Sequence, residues 1–116
     1  MNINDTIVSQ STPQGLGPTA VIRVSGKNSI DIVNKIFPSK DLNKVDSHTL
    51  HFGSIIYDKV IIDEVLISIF KEPRSYTKEN IVEISCHGSE IVIKKIILSL
   101  IDLGARTAEK GEFTFR

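Results

Sequence analysis

Between residues 19 and 25 apolar and polar positions alternate, so that Ala20, Ile22 and Val24 fall on one side of an extended chain and Val21, Arg23 and Ser25 on the other. That period of two predicts a strand with a charge, Arg23, inside it. Residues 49–57 and 60–70 are two further β-rich runs meeting at Asp58-Lys59, which predicts a hairpin. A fourth run, 81–86, sets Val82, Ile84 and Cys86 against Ile81, Glu83 and Ser85, and so embeds a second charge, Glu83, in an apolar strand. An earlier strand is expected within residues 5–12, closed by the loop cluster Thr12-Pro13-Gln14-Gly15-Leu16-Gly17-Pro18.

Two segments change period from two to about 3.6. Ile30, Val33, Ile36 and Phe37 predict a short amphipathic helix, with Asn28 as N-cap and Pro38 as stop. Ile93, Ile96, Ile97, Leu100 and Ile101 form the core stripe of a longer helix, which Ser89 caps, Glu90 favours at its positive end and Gly104 terminates. Residues 39–47 read as a polar loop, and residues 105–116 are polar with no stop signal of their own. The expected fold class is α+β, a single sheet with two packed helices, in one domain spanning 1–116.

Composition agrees with that pattern. The 116 residues are 41% hydrophobic, and 19 Ile and 9 Val against 7 Leu and 3 Ala favour pleated surfaces over a helical bundle. Fourteen basic and fourteen acidic residues cancel to a formal charge of +0, so nothing in the overall charge attracts a polyanion. The one cysteine, Cys86, has no partner for an internal disulfide, and no basic segment followed by an apolar stretch opens the chain. A reducing, cytoplasmic setting is expected. The longest apolar stretch, 91–103, is broken by Lys94, Lys95, Ser99 and Asp102, short of the roughly 20 residues a membrane helix needs, so no membrane contact is expected.

Few residues propose chemistry of their own. His48 and His51 are three apart near a strand and diverge, and His87 has only Cys86 beside it, so no metal site is expected. Cys86 and His87 are adjacent in a strand and point apart, which favours a buried inert thiol over a nucleophile with its base. Gly15-Leu16-Gly17 lacks the lysine spacing of a phosphate loop, and the sole Gly-Lys is Gly26-Lys27-Asn28. This chain alone is therefore not expected to hydrolyse a nucleoside triphosphate, and no catalytic residue is assigned. Arg23 and Glu83 remain. A charge in the middle of a β-run lies on a solvated face or is held by a partner, and these two could also bridge each other across the sheet.

Six ordered blocks carry a resemblance: Asp5-Thr6-Ile7-Val8, Thr12-Pro13, Val21-Ile22-Arg23-Val24-Ser25-Gly26, Arg74-Ser75-Tyr76-Thr77, Val82-Glu83-Ile84-Ser85-Cys86-His87-Gly88 and Gly111-Glu112-Phe113-Thr114. Together they resemble the N-terminal domain of the MnmE (TrmE) family of tRNA modification GTPases. The resemblance implies a tetrahydrofolate-binding fold related to that of the glycine-cleavage T-protein, and a homodimer. It implies 5-formyltetrahydrofolate as cofactor, bound by an arginine at Arg23 and a glutamate at Glu83, with a further basic contact beyond Arg116. The whole protein so implied is a GTPase acting with the flavoprotein MnmG on the wobble uridine of certain tRNAs, its GTP and its Mg and K ions held by a G domain absent from these residues, as is the helical domain. Three blocks depart from the family pattern: Gly15-Leu16-Gly17-Pro18, Thr77-Lys78-Glu79-Asn80 and Lys110-Gly111-Glu112-Phe113. Those departures leave an alternative, a structural dimerisation module whose folate pocket has decayed.

Overall fold

The computed structural model describes residues 5–11, 18–72 and 79–115. The predicted loop at Thr12 to Gly17, the block Arg74 to Thr77, Lys78 and Arg116 lie outside the described residues. Six strands form one mixed sheet in the order β3-β4-β5-β2-β1-β6. They are β1 (Ile7–Gln10), β2 (Thr19–Ser25), β3 (Thr49–Tyr57), β4 (Val60–Phe70), β5 (Ile81–His87) and β6 (Arg106–Thr107). All neighbours are antiparallel except β1 and β6, which run parallel. Among the described residues there are three helices: α1 (Ser29–Asn34), α2 (Glu90–Asp102) and α3 (Glu112–Phe115). The α+β architecture is as expected, with β6 and the third helix added from the polar segment at the end.

One face of the sheet is the core face. Val8, Ala20, Ile22, Val24, Ile55, Val65, Ile67, Ile69, Val82, Ile84 and Cys86 are buried there in one cluster with side chains of α1 and α2. Ile96 and Leu100 of α2 and Ile30, Val33, Ile36 and Phe37 in and after α1 fill that cluster, so both predicted stripes point at the sheet. Each branched side chain buried there contributes on the order of 1.5–3 kcal/mol, and the shared face fixes the register, because a one-residue slip would turn the whole set outward.

The helix termini divide the predictions. Ser89 caps α2 by accepting from the Val92 amide, and Gly104 ends it at φ +120°. Asn28 stands before α1, but its side chain makes no capping bond. The Ser29 hydroxyl instead donates to the Asn80 carbonyl, 51 residues away, so the start of α1 is tied to the strand entering the sheet beside it. Regular α-helix stops at Asn34, short of the predicted Pro38 boundary, and tighter i→i+3 bonds carry the chain through Phe37. The 39–47 loop contains a single 3-10 turn, Leu42–Lys44, whose Leu42 is fully buried. The hairpin turns at Asp58-Lys59 as predicted, both residues having positive φ, the geometry whose twist matches that of the paired strands.

Candidate functional site

The second face of the sheet is built from the alternate residues. Following the register sideways from β1 to β4, Ser9 lies opposite Arg23, Arg23 opposite Glu83 and Glu83 opposite Ser68. These four make a polar row across four strands. The row beside it, Ile7, Ser25, Ile81 and Phe70, is mostly apolar, and its Ile7 and Ile81 are buried although they belong to this face. On the other side runs the row Val21, Ser85, Leu66 and Phe52. A polar strip is therefore bordered by hydrophobic ones.

Arg23 and Glu83, 60 residues apart in sequence, meet at the centre of the strip. The Arg23 guanidinium donates through Nε at 2.8 Å and approaches through Nη2 at 2.7 Å, both to Glu83 Oε2. Both side chains retain about a quarter of their exposure (27% and 26%), so the pair is neither dry nor fully solvated. Glu83 Oε1 accepts no hydrogen bond among the described residues and can still receive a donor. The cross-strand bridge left open by the sequence is thus formed, and the two embedded charges share one face because each occupies the polar phase of its strand.

A third group reaches this pair. The ring centroid of Phe113 in α3 lies 5.8 Å from Arg23 Cζ, a distance at which an aromatic face attracts a guanidinium. The segment bearing Phe113 is held by charges. The Arg106 guanidinium forks onto Glu112, Nη1 to Oε1 at 2.8 Å and Nη2 to Oε2, while its Nε donates to Asp5 Oδ2 at 2.7 Å. Glu112 Oε1 also accepts from the Glu109 amide at 2.9 Å, which closes the turn entering α3. These bonds to Glu112 and Asp5 raise the Arg106 pKa and hold the guanidinium all the more firmly in its charged form. Glu112 and Phe113 belong to a recognised sequence block, but their coupling to Arg106 was invisible to periodicity.

The remaining candidates go elsewhere. Cys86 is buried in the core, and burial first, the Asp63 charge second, push its thiol up to about 11, which suits an inert thiol. His87 points away from it and pairs Nδ1 with Asp63 Oδ1 at 2.7 Å, while Asp63 Oδ2 accepts from the His87 amide. His51 meets the Thr49 hydroxyl, and burial followed by the Lys40 charge lowers its pKa. His48 lies outside the strand at φ 63° and meets the Ser47 hydroxyl. Among the described residues no three His, Cys, Asp or Glu side chains gather as a metal site, and no helix is long and apolar enough to cross a membrane.

A mixed sheet with helices packed on one face and a polar strip on the other defines an α+β domain. Residues 6–116 match the family model described as the GTP-binding protein TrmE N-terminus, and the chain belongs to that family. It is 49% identical over 115 residues to the tRNA modification GTPase MnmE of Cytophaga hutchinsonii, covering 99% of this chain and 25% of the relative. Against the proteins of that name from Christiangramia forsetii and Flavobacterium psychrophilum it is 50% identical over 119 residues, covering all of this chain and 25% and 26% of theirs. The chain thus spans about a quarter of the length of these curated relatives.

Proposed function

We propose that this chain is the folate-binding and self-associating module of a longer cytoplasmic tRNA modification GTPase. The observation that carries the folate reading is the Arg23–Glu83 pair, set in a polar strip between hydrophobic rows with one carboxylate oxygen unengaged among the described residues. A reduced pterin presents an amino group and a ring N–H side by side, which a carboxylate accepts, and a guanidinium suits a carbonyl or carboxylate oxygen of the same ligand. The donor set thus fits 5-formyltetrahydrofolate. When bound, that cofactor supplies a one-carbon group, while the chain's residues bind and orient it. In this reading GTP with its Mg and K ions, MnmG and tRNA are met by other parts of the longer protein.

One observation favours the alternative of a structural module with a decayed pocket: Arg23 and Glu83 satisfy each other. Calorimetric titration with 5-formyltetrahydrofolate separates the two. Glu83→Gln places an amide donor against a ligand donor and loses a charge-assisted bond of roughly 1.5–3 kcal/mol, so affinity should fall about tenfold or more. Glu90→Gln, on exposed helix surface, should leave it unchanged. Absence of binding by the wild-type chain would establish the structural reading, and equal affinities in the two variants, with only the melting temperature of Glu83→Gln altered, would end the assignment of the ligand to Glu83.

Self-association is supported by the apolar side chains left open on the second face, where Leu50 is 64%, Phe52 68% and Leu66 39% exposed along adjacent strands. Such a patch suits a two-fold contact in which the same strands face each other. Sedimentation should show a dimer at tens of micromolar chain and a shift to monomer in Phe52→Glu. A wild-type chain that stays monomeric, or a variant that still dimerises, would remove this face from the proposal.

A further inference from the structure

We infer that Phe113 is the aromatic wall of the Arg23–Glu83 site, so that the ligand's flat ring lies between the sheet and α3. This deepens the folate reading and rests on it. The Glu83 side chain rises from the second face of the sheet, so a donor edge accepted by its carboxylate meets it above the strands. The Phe113 ring of α3 lies 5.8 Å from the guanidinium that pairs with Glu83 on that face. A planar heteroaromatic ring that is edge-on to Glu83 therefore has Phe113 alongside.

Two further features favour a built wall over a chance contact. Phe113 is only half-buried, so its ring is not consumed by the core. The next residue back, Glu112, is fully buried and locked by the Arg106 fork, and Arg106 is itself tied to Asp5 and, through its backbone amide, to the Thr6 carbonyl. Such a short helix has little intrinsic stability, and these charges anchor it to the edge of the sheet. The ring is thereby positioned without needing the ligand to order it, which lowers the entropic cost of binding. The wall selects for a flat ring system and not for the tail that hangs from it.

The test is titration of the 116-residue chain with three probes: 5-formyltetrahydrofolate, 6-methyltetrahydropterin, which has the ring without the tail, and p-aminobenzoylglutamate, which has the tail without the ring. Phe113→Ala should weaken the first two by about tenfold, as loss of an aromatic stacking partner does, and leave any binding of the third unchanged. Phe113→Tyr should stay within about twofold of wild type. Phe113→Leu keeps most of the volume and decides the matter if the alanine variant does not fold: it should still lose about fivefold. The chain has no tryptophan, so Phe113→Trp adds a sole indole whose emission should be quenched saturably by the pterin. If Phe113→Ala and Phe113→Leu bind like wild type while Glu83→Gln loses the ligand, the wall is wrong and the folate site stands. If the wild-type chain binds neither the folate nor the pterin, both fall together.

Discussion

Gly26→Ala is expected to cost the fold roughly 2–4 kcal/mol, a large part of the about 5–15 kcal/mol that holds a domain of this size. Two effects add at this position. Gly26 has φ +147°, a conformation that L side chains rarely adopt. An added Cβ would also lie 2.8 Å from the Thr6 Cα and 2.7 Å from its Oγ1, and the first of these is backbone that cannot swing aside. The chain leaves β2 here, and the Gly26 amide donates to the Asn80 carbonyl at 2.9 Å, so a shift would disturb the segment entering β1 and the approach to β5 together. Gly104→Ala separates the two effects, because Gly104 has φ +120° but an added Cβ would lie at an ordinary 3.8 Å from Ile32 Cδ1. That control should lose about 1–2 kcal/mol, from the backbone alone. Urea unfolding of both variants checks the difference; equal losses would mean that the close packing of Gly26 on Thr6 does not matter.

The elements legible in the sequence were those whose own residues carry the signal. The β3–β4 hairpin matches its expected bounds because two β-rich runs flank Asp58-Lys59, even without the glycine such a turn favours, and the register shift between Ile55 and Ile56 leaves both ends in place. Helix α2 was legible because stripe, cap and terminating glycine all lie within 16 residues, from Ser89 to Gly104. By contrast β6 has two residues and α3 four, too few for any period. β6 is made by partners far away in the chain, Arg106 with Asp5 at a separation of 101 and the Arg106 amide with Thr6, and α3 is held in turn by the fork from Arg106 to Glu112. The start of α1 was legible, with Asn28 at the N-cap position, but its bonding was not: the Asn28 side chain makes no cap, and the tie at this end runs from Ser29 to Asn80.

The site divides along the same line. That Arg23 and Glu83 each sit in a strand interior followed from alternation alone. That they lie directly opposite is a matter of which strands pair and in what register, and a single sequence does not state the order β5-β2. The assignment of a ligand to them came from family resemblance and not from the residues. Phe113 joins them through a ring contact with Arg23 from a helix that the Arg106 fork holds, and no local pattern announces that contact.

That fork gives the largest expected electrostatic effect in the chain. Arg106→Leu would leave the Glu112 carboxylate, whose side chain has 0% exposure, without its two guanidinium bonds, although it would still accept from the Glu109 amide. Removing one partner of a buried pair typically costs about 3–5 kcal/mol, because the buried carboxylate loses its guanidinium and must be rehydrated or protonated at the expense of local structure. Asp5→Asn removes the other partner of Arg106, but the Asp5 side chain is 38% exposed, so water compensates and the loss should be about 0–1 kcal/mol. The double variant Arg106→Leu/Glu112→Leu removes both charges and should recover most of what the single change loses, since two apolar side chains can occupy the space without a desolvated ion. Denaturant unfolding of the wild type, these three variants and Glu112→Leu closes the Arg106–Glu112 cycle, and amide exchange should show the single Arg106 variant opening first over β6 and α3. If Arg106→Leu loses less than about 1 kcal/mol, or if the double variant is no more stable than the single one, Glu112 is not held as a buried charge. In that event the anchoring of Phe113 over Arg23 would need another cause.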